Sequence, residues 1–379
     1  MNIIFVSVVG DLCNNASSTD IMTYNLLYGF YQIGYHVTFI ALNDCETEQK
    51  RQESTKSYQH IVNEIKVLPC CIGRSRGKYS LLAKLFVQYM HRKVYKKFCK
   101  QLEIPSDAIL ISHSPAVDSV YFCRTLKRLK NLFYIEYWSD PIALSGIFPE
   151  QFNYKRWAHA WIERRLLKLC DRVVYGTEPL YISQKTLYPA LQAKMSYVDV
   201  SYRPYDNGIG AVREKPINFV LYSGGYYSSI RNIKPLFEAV KAMNGKVHLD
   251  VYGGGDVTVN DKNISFHKRV SPIEIQKIEA AYQTIICLMN KTTLQIPGKT
   301  FYNINCKQNI IVILDGDQEG VIRRYLEKYN RYIICENTAS SIITALSNLK
   351  SIDLISRQII DNFSPQKISN DLLKFIDKR

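Results

Sequence analysis

Short apolar runs alternate with longer amphipathic stretches from the start of the chain. Ile3 to Val9 is a run rich in β-branched residues that ends at Gly10, and from Thr19 the apolar positions recur at helical spacing as far as Gly34. His36 to Leu42 then alternates between apolar and polar positions. Alternation predicts a strand, and spacings of three and four predict a helix, which the glycine ends. The chain therefore begins with a predicted βαβ unit.

The same alternation continues in two series. Strands of the first series are predicted at Ile65 to Leu68, Ala108 to Ser112, Leu132 to Tyr137 and Arg172 to Tyr175. Strands of the second are predicted at Phe219 to Tyr222, Val247 to Tyr252, Thr284 to Leu288 and Ile310 to Leu314. Helices of the second series are predicted at Pro235 to Met243 and Pro272 to Ala281. Strands separated by helices form parallel, doubly wound sheets, which bind ligands beyond the carboxyl ends of their strands.

A stretch without apolar periodicity separates the two series. It is rich in proline and glycine, a composition typical of an interdomain linker. We predict an N-terminal domain over residues 1–201, a linker over 202–216 and a C-terminal domain over 217–379, whose last helix can pack back on the first domain. The predicted fold class is α/β, with two facing Rossmann-like domains.

Composition supports two domains and points to anionic partners. The chain has 379 residues, which is longer than a domain with a single hydrophobic core usually is. Of these residues, 46% are hydrophobic. Lysine and arginine number 49 against 34 acidic residues, a formal net charge of +15. This excess favours nucleotides, phospholipid surfaces or nucleic acid, and charge alone does not choose among them.

Cysteines and apolar runs indicate a cytoplasmic location. The 10 cysteines are scattered, without a C-x-x-C pair or the Cys and His spacing of a zinc site, which suits reduced thiols. The first apolar run lacks a positive flank and meets Gly10 too soon for a signal peptide. No run approaches the roughly 18 to 20 apolar residues that a bilayer-spanning helix needs, so membrane contact would be peripheral.

A basic stretch between Arg74 and Lys100 is the predicted membrane contact. Its lysines, arginines and His91 are interleaved with leucines and aromatic residues. Basic amphipathic helices of this kind lie on anionic membranes, here the inner face of the cell membrane. The sequence has no nucleic-acid-binding motif and no basic tail, so we rank the membrane above nucleic acid. A solvated helix remains the alternative.

Two segments of the second domain are candidates for binding phosphate. The predicted strand at Phe219 runs into Gly224 and Gly225, and Arg231 follows. Glycines let phosphate approach the backbone, and an arginine grips two of its oxygens. Lys299 follows a Pro-Gly turn and opens a helix, where the macrodipole disfavours a cation unless an anion binds there. Solvent-facing side chains in ordinary turns are the alternative at both places.

The first domain offers His113 and Asp140, each after a predicted strand. A histidine there can donate a hydrogen bond or carry a proton near neutral pH, and the carboxylate can accept one. A structural histidine and a turn-forming Asp-Pro are the alternatives. Two further motifs favour structural turns: the three glycines from Gly253, and Asp315-Gly316-Asp317, which we do not interpret as a metal site.

Together these segments resemble GT-B glycosyltransferases, in particular the bacterial family 4-like enzymes that build capsules, O-antigens and other surface polysaccharides. The resemblance covers nearly the whole chain. It rests on Gly34-Tyr35-His36-Val37, Trp138-Ser139-Asp140-Pro141, Tyr222-Ser223-Gly224, Tyr252-Gly253-Gly254-Gly255 and above all Ile296-Pro297-Gly298-Lys299.

The resemblance implies a hexosyltransferase that uses a nucleotide-diphosphate sugar as donor, retains the anomeric configuration and needs neither metal nor other cofactor. The acceptor would be a glycan or a lipid-linked glycan. Arg231 and Lys299 would grip the donor diphosphate, and His113 would contact the transferred sugar. The remaining residues implied at the donor site are Gly10 and Ser17, in a loop that closes over donor or acceptor, together with Gly224, Gly225, Thr300 and Tyr302.

Two departures from the family pattern support one of two alternatives. Relatives often have an arginine where this chain has Gly225, and an acidic residue that holds the ribose is replaced by Tyr302-Asn303. A catalytically silent GT-B-shaped subunit that binds a sugar nucleotide is therefore one alternative. A sugar-nucleotide epimerase on the same fold is the other.

Overall fold

The protein is described by a computed structural model that covers residues 1–10, 12, 17–43, 47–69, 93–114, 117–143, 153–204, 215–306, 308–316, 319–349 and 361–376. The chain divides into two compact units. The first comprises Met1–Ala143, Asn153–Ser201 and Pro365–Arg379, and the second comprises Leu144–Phe152 and Tyr202–Ser364.

The first unit is built on a parallel sheet. Its strands are β1 (Asn2–Val8), β2 (His36–Asn43), β3 (Glu64–Pro69), β4 (Ile109–Ser114), β5 (Phe133–Trp138), β6 (Arg172–Tyr175) and β7 (Met195–Tyr197). They lie in the order β3-β2-β1-β4-β5-β6-β7, and each neighbouring pair is parallel. The order reverses between β1 and β4, so the carboxyl ends of these two strands border the topological switch point where such sheets bind ligands.

Helices connect these strands. They are α1 (Ser18–Ile33), α2 (Glu48–Thr55), the helical residues 93–101 (α3), α4 (Val117–Lys130), α5 (Asn153–Leu167) and α6 (Glu178–Leu187), with 3₁₀ turns at Lys56–Ile61 and Pro189–Lys194. Gly34 ends α1 with a φ of 86°, as the sequence predicts.

The second unit repeats the architecture. Its strands are β8 (Phe219–Ser223), β9 (His248–Tyr252), β10 (Ile264–His267), β11 (Thr284–Leu288), β12 (Asn309–Leu314) and β13 (Ile333–Glu336). They lie in the order β10-β9-β8-β11-β12-β13, again all parallel. Its helices are α7 (Lys234–Ala242), α8 (Pro272–Ala281), α9 (Lys299–Tyr302), α10 (Glu319–Glu327) and α11 (Ala339–Ser347), with a 3₁₀ turn at Asp361–Phe363. The predicted fold of two Rossmann-like parallel-sheet domains is confirmed.

The last helix, α12 (Pro365–Leu373), belongs to the first unit and packs against α1. Ser369 Oγ donates to the Leu26 carbonyl at 3.0 Å. A Cβ added at Gly29 would lie 2.1 Å from the Pro365 carbonyl oxygen, so glycine lets the two helices approach this closely. In the described parts of the chain no helix is long and apolar enough to cross a membrane.

Glu136 is a carboxyl group buried in the apolar core of the first unit. Ser112 Oγ and Tyr134 Oη both contact its Oε2, and the two hydroxyls lie 2.7 Å apart. Burial raises the pKa of Glu136 from an ordinary value near 4.5 to about 8, and the hydrogen bonds from Ser112 and Tyr134 oppose this rise. The carboxyl group is therefore protonated at neutral pH.

This burial predicts a loss of stability with rising pH. In the folded state Glu136 keeps its proton up to about pH 8, whereas in the unfolded chain it loses it above its ordinary pKa. The free energy of unfolding should fall by up to about 1.4 kcal/mol per pH unit between those two values. Glu136→Gln keeps the shape and removes the titration, so the variant should gain stability relative to the parent from pH 5 to pH 8.

The measurement is denaturant unfolding followed by tryptophan fluorescence. The chain has three tryptophans, Trp138, Trp157 and Trp161, and all lie in the first unit. Comparing variant with parent cancels the contributions of other titrating groups. A stability difference that stays constant between pH 5 and pH 8 would contradict the buried, protonated carboxyl group.

Candidate functional site

The predicted site residues fall into two groups, one in each unit. In the first unit, Gly10 and Ser17 flank the loop after β1. Asp20, in the first turn of α1, accepts from the Gly10 amide at 2.7 Å and from the Ser17 amide and hydroxyl at 2.6 and 2.7 Å. The Ser17 hydroxyl accepts in turn from the Asp20 amide, which completes a capping box. The polar groups of Gly10 and Ser17 are thus engaged by one carboxylate, and their ligand role stays a prediction.

His113 lies at the carboxyl end of β4 and is fully buried. Its Nδ1 lies 2.9 Å from Thr23 Oγ1 on α1, and its Nε2 lies 3.1 Å from Ser139 Oγ. Ser139 Oγ donates to Asp140 Oδ2 at 3.2 Å. The two predicted catalytic residues are therefore joined through the hydroxyl of Ser139.

Burial decides the protonation state of this chain of hydrogen bonds. It lowers the pKa of His113 to about 3, so the imidazole is neutral near neutral pH. Of the two roles that the sequence suggests for His113, donating a hydrogen bond agrees with the neutral form, and carrying a proton near neutral pH does not. When the Asp140 carboxylate is ionised, Ser139 donates to it and accepts from Nε2–H of the imidazole, and Nδ1 accepts from Thr23. Burial also raises the pKa of Asp140, and the Ser139 hydrogen bond opposes the rise.

Glu163 on α5 holds the loop that follows Asp140. Its carboxylate accepts from the Ile142 amide at 2.8 Å, from the Ala143 amide at 3.3 Å and from Tyr188 Oη at 2.7 Å. The side chain is buried. A helix outside the strand layer thereby sets the backbone directly after Asp140.

In the second unit, two glycine loops interlock at the carboxyl ends of β8 and β9. The Gly224 amide donates to the Tyr252 carbonyl at 2.8 Å, and the Tyr226 amide donates to the Gly254 carbonyl at 3.1 Å. Gly224 and Gly253 have φ values of 150° and 145°. A Cβ added at Gly253 would lie 2.1 Å from the Gly224 carbonyl oxygen. The glycines from Gly253 onward thus form the predicted structural turn, and this turn supports the loop at Gly224.

Lys299 points back at the end of β8. Its Nζ donates to the Ser223 carbonyl and, at 2.6 Å, to Ser223 Oγ. Ser223 Oγ donates to Glu279 Oε1 at 2.9 Å. The Lys299 amine also lies 3.9 Å from the position that a Cβ of Gly224 would occupy. The lysine is thereby placed against the loop that the sequence singles out.

Two guanidinium groups join this lysine. Arg231 Nε donates to Asn290 Oδ1 at 2.8 Å, and its Nη1 donates to the Gly225 carbonyl at 3.3 Å. Arg203 is buried, and its Nη1 lies 3.7 Å from Glu279 Oε2. Burial lowers the pKa of Lys299 to about 8, Glu279 raises it, and the charges of Arg203 and Arg231 lower it further. The three cations are therefore close enough to act on one another, and Glu279 pairs with Arg203 and is linked to Lys299 through Ser223.

Arg203 has unused hydrogen-bonding capacity. Within the described part of the chain, its buried Nε has no hydrogen-bond partner, and its buried Nη1 has only the 3.7 Å ion pair with Glu279. Its guanidinium lies 5.7 Å from the centre of the Tyr302 ring, and its backbone amide donates to the Tyr302 carbonyl. Buried donors without acceptors are costly unless a ligand supplies the acceptor.

The structure corrects two of the predictions for this site. Helix α9 has only four residues, too few for a macrodipole that would disfavour a cation, although Lys299 does open it as predicted. The Gly224 amide is already bonded to Tyr252 and is not free for phosphate.

The remaining predicted residues are placed as follows. Thr300 and Tyr302 are buried in α9, and the Tyr302 ring lies beside the Arg203 guanidinium. Asp315 Oδ2 accepts from the Asn232 amide at 3.4 Å. Asp317, most of the basic stretch from Arg74 and residues 205–214 of the predicted linker lie outside the described residues. Within the described ranges, no three His, Cys, Asp or Glu side chains are close enough to hold a metal ion.

Sequence reasoning missed Arg203, Glu279, Ser139 and Asp20. Arg203 lies in the predicted linker and Glu279 in an amphipathic helix, where charged residues are ordinary. The capping-box spacing from Ser17 to Asp20 was a readable signal.

Comparisons with known proteins identify the fold. No family model matches the chain, and no curated protein has a matching sequence. Solved structures match over the whole length of the chain. Anabaena HepE in complex with UDP and glucose has a TM-score of 0.58 at 9% identity, covering 100% of this chain and 98% of that one.

Two further solved structures match similarly. The lipopolysaccharide outer core galactosyltransferase WaaB has a TM-score of 0.54 at 11% identity, with 100% and 99% of the two chains covered. A putative UDP-N-acetylglucosamine 2-epimerase from Listeria monocytogenes has a TM-score of 0.58 at 9% identity, with 100% and 96% covered. The chain has the GT-B fold.

The interlocked glycines predict unequal responses to substitution. Gly253→Ala should destabilise the protein by about 1–3 kcal/mol or more, because the added methyl group displaces the Gly224 backbone. Gly225→Ala should change stability by less than about 0.5 kcal/mol, because the nearest atoms to an added Cβ lie 3.8 Å away. Scanning calorimetry of the two variants checks this, and equal melting temperatures would be inconsistent with the interlock.

Proposed function

We propose that this chain is a glycosyltransferase that takes its sugar from a nucleotide-diphosphate sugar. The observation that carries the proposal is the group of Lys299, Arg231 and Arg203 beside the Gly224 loop, in which the buried Arg203 Nε has no acceptor among the described residues. A diphosphate would supply both the negative charge and the acceptors. The fold agrees, since proteins of this fold include one solved with UDP and glucose.

In this proposal the cations act on the leaving group. As the bond to the sugar breaks, negative charge grows on the diphosphate, and positive groups fixed beforehand stabilise it most in that state. Lys299 is partly desolvated, with a pKa lowered to about 8, and an arriving diphosphate raises this pKa again and keeps the amine charged. The chain's own cations then neutralise the leaving diphosphate, which a divalent metal does in other enzymes. The proposed reaction retains the configuration at the anomeric carbon, as the sequence resemblance implies.

The first unit supplies the acceptor side of the proposed reaction. Asp140 faces the acceptor hydroxyl and receives its proton, and neutral His113 positions it through Ser139. The acceptor is a glycan or lipid-linked glycan of bacterial surface polysaccharide synthesis, as the sequence resemblance implies. The enzyme works at the inner face of the cell membrane.

A sugar-nucleotide epimerase is the second candidate. It is favoured by the solved structure of a putative UDP-N-acetylglucosamine 2-epimerase, which matches this chain as well as HepE does. The donor site described above serves either reaction, because both reactions require the diphosphate of the sugar nucleotide to be held in place.

The cation group predicts the effect of two substitutions on nucleotide binding. Lys299→Ala and Arg231→Ala should each weaken UDP binding by about 1.5–3 kcal/mol, because each removes a charge-assisted hydrogen bond to phosphate. Isothermal calorimetry with UDP, GDP and ADP measures this and also shows which base is preferred. Lys241→Ala, an exposed lysine on α7, is the matched control and should bind like the parent.

The pH dependence isolates Lys299. UDP affinity of the parent should fall by up to about tenfold per pH unit above pH 8, because the unliganded amine loses its proton, and this dependence should vanish in Lys299→Ala. Unchanged affinity in both alanine variants would reject the proposed donor site.

A turnover assay separates the candidate functions. Incubation with a panel of UDP-sugars should release UDP slowly by hydrolysis, and faster when glycan acceptors are added. An epimerase would instead produce the epimeric sugar without any acceptor. Binding without hydrolysis, transfer or epimerisation across the panel would identify a silent subunit and reject both enzymes.

A further inference from the structure

Helix α5 has two tryptophans on its outer face. Trp157 is 71% exposed and Trp161 48% exposed, and Ile162 beside them is also exposed. Among the described residues, Trp157 is the most exposed large hydrophobic side chain. Tryptophan is enriched at interfaces where one end of the side chain is apolar and the other is wet. This cluster of exposed apolar side chains is therefore a candidate docking surface.

The charges on the same helix are nearly all positive. Arg164, Arg165 and the following Lys168 are exposed, and the sequence places Lys155 and Arg156 in the first turn. The Arg165 guanidinium lies 4.2 Å above the Trp161 ring. The acidic residue of the helix, Glu163, is buried inward. The exposed face thus combines indoles with cations and presents no carboxylate of its own.

A groove beside the tryptophans extends this surface. It is lined by Trp157, Trp161 and Arg164 of α5 and by residues after α6, among them Pro189 and Leu191. The groove is lined mainly by apolar side chains. An apolar strip bordered by arginines matches the boundary between acyl chains and headgroups of a bilayer.

We propose that this face of α5, defined by Trp157, Trp161, Arg164 and Arg165, docks on a membrane surface that contains anionic lipids. Tryptophan settles at the level of the headgroups, and arginine reaches lipid phosphates while its stem stays in apolar surroundings. A second copy of the chain fits less well, because a two-fold contact would bring the same cations against each other. The surface uses other residues than the basic stretch that begins at Arg74 and the cation group of the second unit.

Vesicle binding tests the proposal. The full chain should float with vesicles of phosphatidylcholine mixed with phosphatidylglycerol, and much less with phosphatidylcholine alone. Trp157→Ala combined with Trp161→Ala should abolish most of the binding. Arg164→Gln combined with Arg165→Gln should lower it on the order of tenfold or more. Tyr31→Ala, an equally exposed aromatic on α1, is the matched control and should float like the parent.

Fluorescence gives a second readout in the unaltered protein. Trp138 is buried, so a blue shift and loss of acrylamide quenching on adding anionic vesicles report Trp157 and Trp161. Failure of the parent to bind anionic vesicles would overturn the proposal. Full binding by the double tryptophan variant would also overturn it, because the contact would then lie elsewhere. A doubled mass in light scattering that the double tryptophan variant abolishes would overturn it too, because a second copy would then be the occupant.

The vesicle experiments test the membrane surface independently of the proposed donor site. The tryptophan and arginine variants should keep the parent's affinity for UDP, and Lys299→Ala should keep its affinity for vesicles. Loss of UDP binding in Lys299→Ala alone therefore tests the donor site, and loss of flotation in the α5 variants alone tests the membrane surface.

Discussion

The candidate site of the second unit depends on the close approach of two backbones. The Gly224 carbonyl stands where a side chain of residue 253 would stand, so the ends of β8 and β9 can meet only through glycine. This contact fixes the direction in which the chain leaves Ser223. Ser223 then offers both its carbonyl and its hydroxyl to Lys299, and its hydroxyl links the lysine to Glu279. Arg203 and Arg231 complete a positive centre whose geometry is set before any ligand arrives.

The two units solve the problem of buried polar groups differently. In the second unit, charges are kept and partly balanced, with Glu279 between Lys299 and Arg203. In the first unit, burial favours the neutral forms of His113 and Glu136, and hydroxyl groups link the side chains. An excess of positive charge attracts an anion, whereas a neutral hydrogen-bonded chain holds a carboxyl group such as Asp140 in one orientation.

The sequence predicted the central strands well because their residues are buried on both faces, as in β11 and β12, where every residue is buried. It missed β7, β10 and β13, which are edge strands of three or four residues with weaker apolar patterns. Lys299 and Arg231 were predicted from turns and glycines that a reader can see locally. Arg203 and Glu279 were not, because their meaning comes from contacts between segments far apart in the chain, which no local pattern records.

Helix α5 faces two ways. Inward, the Glu163 carboxylate holds the amides of Ile142 and Ala143, the backbone that leaves Asp140. Outward, the same turn of helix carries Trp161 and Arg165. The helix thus connects the outer surface of the unit to the peptide beside the proposed proton acceptor through the Glu163 carboxylate. Any displacement of this helix at its outer face would therefore act on the backbone after Asp140 through these two hydrogen bonds.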